Sequence, residues 1–407
     1  MEKIVSLCKR RGFVYPGSEI YGGFSGFWDY GPLGIELLNN VKQLWWRMFV
    51  QDREDMCGLG AAIVMNPEAW KASGHVSGFA DPLGDKMFNT MFATSVGAGE
   101  EATTAYLRPE TAGGIFVNFK NVVDSFHPKL PFGIAQIGKA FRNEIAPRDF
   151  IFRAREFEQM EIEYFVSSDE WSGAFEEWRK NIHAFNDAVG IARGNVHELE
   201  VPDGERAHYS KRTIDFEFDF PFGRRELCGL AYRTDFDLSA HAKASGVDLS
   251  YLKDSGERFV PHVVEPSFGV DRTILAILAS AYTEDELGGE ARTYLKFNKA
   301  VAPIKAAVFP LLKNKPELVA KAREIYMMLK KSVPQIMWDD NGNIGKRYRR
   351  QDEIGTPYCI TIDFDTFGDP STRSGQGKTL KDTVTVRDRD TGEQERVSID
   401  NLLSRIA

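Results

Sequence analysis

The stretch GIAQIGKAFRNEIAPRDFIFRAREFEQMEIEYFV, residues 133–166, decides the fold. Two strand-like runs flank a polar centre at Ala146-Pro147-Arg148-Asp149, which predicts an antiparallel hairpin. Residues two or four apart on a strand share a face. Arg142 and Glu144 are therefore expected on one face of the first strand, and Arg153, Phe157 and Glu161 on one face of the second. Met160, Ile162 and Tyr164 point the other way, so one side is core and the other a site. Charges alone would equally suit a solvated face with cross-strand ion pairs. The ring set among arginines favours a site: a purine stacks on a flat ring while guanidinium groups neutralise phosphate oxygens bidentately. This surface suits ATP.

Outward from the hairpin, Ile214-Asp-Phe-Glu-Phe-Asp-Phe220 alternates as a strand with Ile214, Phe216, Phe218 and Phe220 on one face. Asp169 to Ala192 reads as one or two helices inserted into this sheet-based domain. Val263 to Arg272 runs from a strand into the apolar helix Thr273 to Ala281 and leaves Arg272 in its first turn, beside unpaired helix amides that suit a polyphosphate. Near the N-terminus Leu37, Leu38, Val41, Leu44, Trp45, Met48 and Phe49 form one broad apolar helical stripe, to be covered by the domain's own core or by another subunit. After Asn298 the rhythm changes to strand (Ala306–Phe309), helix (Pro316–Lys331), strand (Tyr358–Asp363) and a hairpin around Asp390-Thr391-Gly392. The fold class is α+β, with an antiparallel-sheet domain at 1–297, its helical insertion at about 167–212, and a C-terminal α/β domain at 298–407. Asp369 to Lys381, rich in Gly, Ser and Thr, reads as a mobile loop.

Composition bounds the function classes. The 407 residues are 43% hydrophobic and 27% charged, ordinary globular usage and enough for two or three domains. Four scattered cysteines exclude a small disulfide scaffold and point to a reducing compartment. No apolar run approaches a membrane span and Met1 to Arg11 carries charges, so a soluble, cytoplasmic protein without membrane contact is expected. A net charge of -8 argues against general coating of DNA; any nucleic acid must be held by local patches. Gly377-Lys378-Thr379 lacks the glycine a Walker loop needs five residues earlier, where Thr372 stands. No H-E-x-x-H or G-x-G-x-x-G is present, and no zinc is expected.

Phe141-Arg-Asn-Glu144, Arg153-x-x-x-Phe157-x-x-x-Glu161 and Gly269-Val-Asp-Arg272 resemble the second and third signature motifs of class II aminoacyl-tRNA synthetases. The likeness is strongest to the homodimeric type of glycyl-tRNA synthetase. It is supported by Phe24 to Gly34, Leu107 to Thr111, Gly114 to Asn118, Arg233 to Leu238, Glu265 to Ser267 and Gly345 to Arg350. The insertion usual in that type between the equivalents of Asp81-Pro-Leu83 and Phe88-Asn-Thr-Met-Phe92 is largely missing, with Gly84 to Met87 in its place. The resemblance implies ligation of glycine to tRNA(Gly) through a glycyl-adenylate, with ATP and Mg²⁺ required, in a homodimer. Such a displacement needs positioning and charge neutralisation more than a protein nucleophile.

By that pattern Arg142 holds the α-phosphate, Glu144 the adenine amino group, Phe157 the ring, and Arg272 the γ-phosphate. Glu226 helps to hold ATP through Mg²⁺, and Asn143, Phe152, Arg153, Leu227 and Gly269 complete the nucleotide site. Arg142, Arg272 and Glu226 form the catalytic set. Glu110, Phe157, Gln159, Glu161, Glu265 and Ser267 are the implied glycine contacts, with Arg233 ordering the carboxylates. So many acids in one small cavity are costly without a bound cation, although Glu110 alone also suits a cap on the helix Thr111 to Asn118. The C-terminal domain resembles the anticodon-binding domain of this type. Lys346, Arg347, Tyr348, Arg349 and Arg350 form its densest basic patch, for phosphate contact and base stacking or simply as a solvated loop. The other readings are a noncatalytic, synthetase-like nucleic-acid-binding subunit and a class II ligase for another small amino acid.

Overall fold

The structure, a computed structural model, describes every residue of the chain except 84–85, 208, 369–379 and 407. The loop expected at Asp369 to Lys381 lies mostly outside the described residues. The fold is α+β, and the chain divides into two compact units.

The larger unit, Pro16–Asp29 with Val41–Ala276, is built on a seven-stranded sheet. Its strands are β1 (Met56–Gly58), β2 (Phe132–Phe141), β3 (Glu156–Val166), β4 (Val196–Glu200), β5 (Arg212–Phe220), β6 (Gly223–Thr234) and β7 (His262–Gly269), in the order β4-β5-β6-β7-β3-β2-β1. All neighbours are antiparallel except β1 and β2. The long-range pairing of β7 with both β6 and β3 brings Ser267 opposite Gly229 on one side and Glu161 on the other. Residues from three distant stretches thus share one patch.

One face of the sheet is aromatic core. Met160, Ile162 and Tyr164 are buried there, as the alternation predicts. They lie with Phe268 beneath the helix α1 (Pro32–Trp46), which continues to Gln51 in a wider turn, and α3 (Trp171–Val189) of the inserted segment. Trp45 and Phe185 meet Phe268 edge-on at 6.2 and 5.4 Å, and Trp178 meets Tyr164 at 5.5 Å. Burying each such ring is worth several kcal/mol (roughly 25 cal/mol per Å² of apolar surface), and Trp45 and Phe49, the aromatic end of the stripe, are covered by the core of the larger unit. On the opposite face α2 (Ala112–Phe126) and α4 (Phe236–Ser245) pack Phe116, Phe119 and Leu238 against Phe132, Phe165 and Val263. Beyond this cluster the face opens into the site.

The expected positions of Arg142, Glu144 and Arg153 on strands need correction. β2 ends at Phe141 and β3 begins at Glu156, so all three lie in the connection. The amide of Asn143 leaves the ladder for Thr90 O at 2.7 Å, and that of Glu144 closes a tight turn on Arg142 O. Pro147 offers no donor, and Asp149 and Phe150 have positive φ, so beyond the Arg142 amide bond to Arg155 O the pairing survives only as an isolated bridge between Arg148 and Arg153.

The second unit joins Met1–Tyr15, Tyr30–Asn40 and Ile277–Ala407. Its sheet has β8 (Ala306–Pro310), β9 (Ile336–Trp338), β10 (Tyr358–Ile362), β11 (Thr383–Asp388) and β12 (Gln394–Ser398), ordered β9-β8-β10-β11-β12 and parallel only around β8. The helices α5 (Pro316–Ser332) and α6 (Ile344–Ile354) and a hairpin at 282–295 accompany it. The N-terminal helix Glu2–Arg11 belongs to this unit through ion pairs of Arg10 and Arg11 with Glu353 and of Lys3 with Glu284.

Candidate active site

A cavity of about 270 Å³ opens on the larger unit where β3, β5, β6 and β7 and the β2–β3 connection converge. Its wall includes Glu110, Arg142, Glu144, Phe152, Arg153, Phe157, Gln159, Glu161, Glu226, Leu227, Glu265, Ser267, Gly269 and Arg272. Of the residues expected at the nucleotide and glycine sites, Asn143 and Arg233 alone do not line it.

Two arginines set against aromatic rings mark one end of the cavity. Arg142 lies 5.3 Å from the Phe157 centroid and 5.2 Å from that of Phe79, with Nε donating to Pro109 O at 3.0 Å. Held this way, the guanidinium has its two terminal nitrogens to offer. Arg272 lies 4.7 Å over the Phe152 ring. Arg153 binds the Glu144 carboxylate at 2.7 Å.

Carboxylates near Arg272 form a hard oxygen donor set. Arg272 reaches the Glu226 carboxylate at 2.9 Å and holds it below its ordinary range. Asp215, on β5, is pushed up to about 6 by burial and by the charges of Glu226 and Glu217. Both acids flank Gly229, where a Cβ would stand 4.0 Å from an oxygen of each. Two carboxylates beside a phosphate-sized space fit Mg²⁺, which commonly takes one or two protein carboxylates plus phosphate oxygens.

The other end is acidic and buried. Glu161 accepts from Ser267 Oγ at 2.9 Å and from Thr111 Oγ1. Arg233, 1% exposed, forks onto Asp237 at 2.8 and 2.9 Å and reaches Glu265 at 2.9 Å, with Tyr209 stacked 3.8 Å from its guanidinium. Burial raises Glu265 to about 8 despite Arg233, with Glu161 and Glu110 adding like charge. Burial also favours the neutral form of Glu110, but His75, 3.3 Å away, together with Arg233 and Arg142, more than offsets this and holds it at about 2. Glu110 thus pairs with His75 and makes no helix cap. Gln159 Oε1 is buried in this wall without a hydrogen-bond partner among the described residues. The chemistry of this end suits a small cation.

Sequence reasoning missed Asp215, Glu163 and His75. The first two alternate with apolar neighbours on strands, a signal that was there to be read. His75 occupies a short helix, His75–Gly78, brought in from outside the sheet, and no local pattern marks it.

The basic patch of the second unit requires a correction. Lys346 to Arg350 form the first turns of α6, not a loop. Arg347 is 1% exposed and its guanidinium binds the carbonyls of Pro310, Asp340 and Gly342. Tyr348 is turned inward, bonding Thr361 at 2.7 Å between Phe309 and Arg387. Neither is placed for stacking a base. Arg349 and Arg350 reach Glu290 and Asp339 and, with Lys346 and Arg11, line a surface groove.

A largely antiparallel sheet with arginine–ring pairs beside an acidic pocket suits a class II aminoacyl-tRNA synthetase, and the comparisons with known proteins show that class. Residues 94–281 match the tRNA synthetase class II core domain (G, H, P, S and T), and residues 305–407 match an anticodon binding domain. The chain is 46% identical to a glycine–tRNA ligase of Clostridium tetani, an alignment covering 100% of this chain and 98% of that one. It is 46% identical to that of Thermobifida fusca, over 100% and 97%, and 44% identical to that of Thermus thermophilus, over 99% and 97%. The chain belongs to the glycine–tRNA ligase family.

Proposed function

We propose that this protein joins glycine to tRNA(Gly) in two steps, with the residues of the cavity in the following roles. Arg142, fixed by Pro109 O and by two rings, grips the α-phosphate and neutralises the charge that builds as the glycine carboxylate attacks phosphorus. Phe157 supports the adenine, Glu144 accepts from its amino group, and Arg153 orients Glu144. Asn143, Phe152, Leu227 and Gly269 shape the rest of the nucleotide site, and Arg272 takes the γ-phosphate end. Glu226 and Asp215 would hold Mg²⁺, which when bound neutralises the phosphates. Glu161, Glu265 and Glu110 receive the glycine ammonium, ordered by Arg233, Ser267 and Gln159. The observation that carries this reading is the junction of the Arg142–Phe157 stack with a buried acidic pocket.

The catalytic part is proposed as 1–297 and the anticodon-binding part as 298–407. Lys346, Arg349 and Arg350 meet tRNA phosphates, while Arg347 and Tyr348 hold the helix that presents them. Exposed Ile20, Tyr21 and Phe24 supply apolar surface for a homodimer. Among the described residues no helix is long and apolar enough to cross a membrane, and the cytoplasm is the proposed location. The alignment to the Clostridium tetani relative runs over 471 positions against 407 residues here. This supports a missing insertion, which we place between Ala80–Leu83 and Lys86–Asn89, two strands that pair with each other.

Glycine-dependent ATP–pyrophosphate exchange, followed by charging of tRNA(Gly), tests the assignment. Exchange driven by glycine supports it. Exchange driven only by another amino acid, or by none, overturns it.

A further inference from the structure

Directly below the glycine end of the cavity lies an acid that no role above uses. Glu163 is 0% exposed, and neither carboxylate oxygen has a hydrogen-bond partner among the described residues. One oxygen each from Glu161, Glu163 and Glu265 lies within 4.8 Å of the others. Glu163 does not line the cavity, and the next residue inward on its face, Phe165, is already apolar core. The groups acting on it are Glu161 on its own strand, Glu265 on β7, Arg233 on β6 and Asp237 on α4. Arg233 spends Nε and one terminal nitrogen on Asp237 and the other on Glu265.

An ionised carboxylate without a donor is disfavoured in such a place, and like charges this close resist joint ionisation. We propose that Glu163 is a positioning residue of the glycine pocket that stays a neutral acid at pH 7 and donates its O–H to the Glu161–Glu265 pair. The bound ammonium favours ionisation of the Glu161–Glu265 pair and then meets two fixed carboxylates instead of three that repel one another. Burial, with the Glu265 charge second, pushes Glu163 well above the usual carboxyl range, in the same sense. The titration belongs to the cluster as a unit. An inorganic cation among the three oxygens is the competing arrangement, and Arg233 beside them opposes it.

This inference rests on the pocket binding glycine, but its first test does not. Difference infrared spectra of the whole protein at pH 7, wild type against Glu163→Gln, are expected to show a protonated carboxylic C=O band that the variant lacks and that shifts in D₂O. No such band, or a loss of carboxylate absorption instead, overturns the proposal and favours an ionised or cation-bound Glu163. In the exchange assay, Glu163→Leu is expected to raise KM for glycine about tenfold with kcat and KM for ATP changed less than about twofold, and Glu163→Gln to rescue it. An unchanged KM in Glu163→Leu, or a Glu163→Gln variant as impaired as the leucine one, overturns the positioning role. Should Glu163→Leu fail to fold, the infrared band and the glutamine variant still decide. A wild type with no glycine-dependent exchange would remove the functional reading while leaving the band as a test of the proton.

Discussion

The acidic pocket should make the empty protein less stable as pH rises through the physiological range. Glu265 is raised to about 8 by burial in the native state, whereas in the unfolded chain it titrates near its ordinary value of about 4.3. Between these two values the folded state keeps a proton that the unfolded state has lost. Stability therefore falls with pH at up to about 1.4 kcal/mol per unit for one proton. Its contribution is fully present below about pH 4.3 and is lost as pH rises through 8. Over the whole window one unshared proton amounts to roughly 5 kcal/mol, an upper limit because the neighbouring acids titrate together. Glu161 and Glu163 are raised too, so they add to the same slope. Glu110, held at about 2, has the opposite sign, and its effect falls below pH 4.3, outside this window. Denaturant unfolding of the ligand-free protein at pH 5.5, 6.5 and 7.5 is expected to show stability decreasing with pH. Glu265→Gln should flatten that decrease by about one proton. A slope that is unchanged in the variant, or stability that rises from pH 5.5 to 7.5 in the wild type, would refute the reasoning.

Arg142→Ala removes the guanidinium fixed between Phe79 and Phe157 and should lower exchange by about 10²–10³-fold with the melting temperature little changed; near-normal exchange would contradict its role. Asp215→Asn should raise the Mg²⁺ concentration needed for half-maximal exchange without altering KM for glycine, and an unshifted Mg²⁺ titration would leave Glu226 acting alone. Gly113→Ala places a Cβ 2.9 Å from the buried Trp70 ring; a loss of about 1–3 kcal/mol by chemical denaturation is expected, since neither ring nor helix can yield easily. Neutralising Lys346, Arg349 and Arg350 should reduce the salt dependence of tRNA binding without touching exchange, whereas Arg347→Ala should lower stability first; equal behaviour of the two variants would place Arg347 with the surface set.

What could be read in advance follows from how far each residue's environment extends along the chain. Phe157, Gln159 and Glu161 were legible because a strand repeats every two residues, and their facing partners Met160, Ile162 and Tyr164 fixed which side was core. The same period, extended too far, put Arg142, Glu144 and Arg153 on strands. What ends the pairing there is an amide bond from Asn143 to Thr90, a partner 53 positions away that no local spacing announces. Arg347 shows the same limit in its sharpest form. Composition counts it with Lys346, Arg349 and Arg350 as surface charge, yet three carbonyls, from Pro310, Asp340 and Gly342, turn it into an internal brace. A cation's burial is decided by acceptors that carry no formal charge, and every residue supplies one of those. Charge patterns therefore overstate nucleic-acid patches and understate acidic pockets such as that of Glu163, where the telling feature is a donor that is absent.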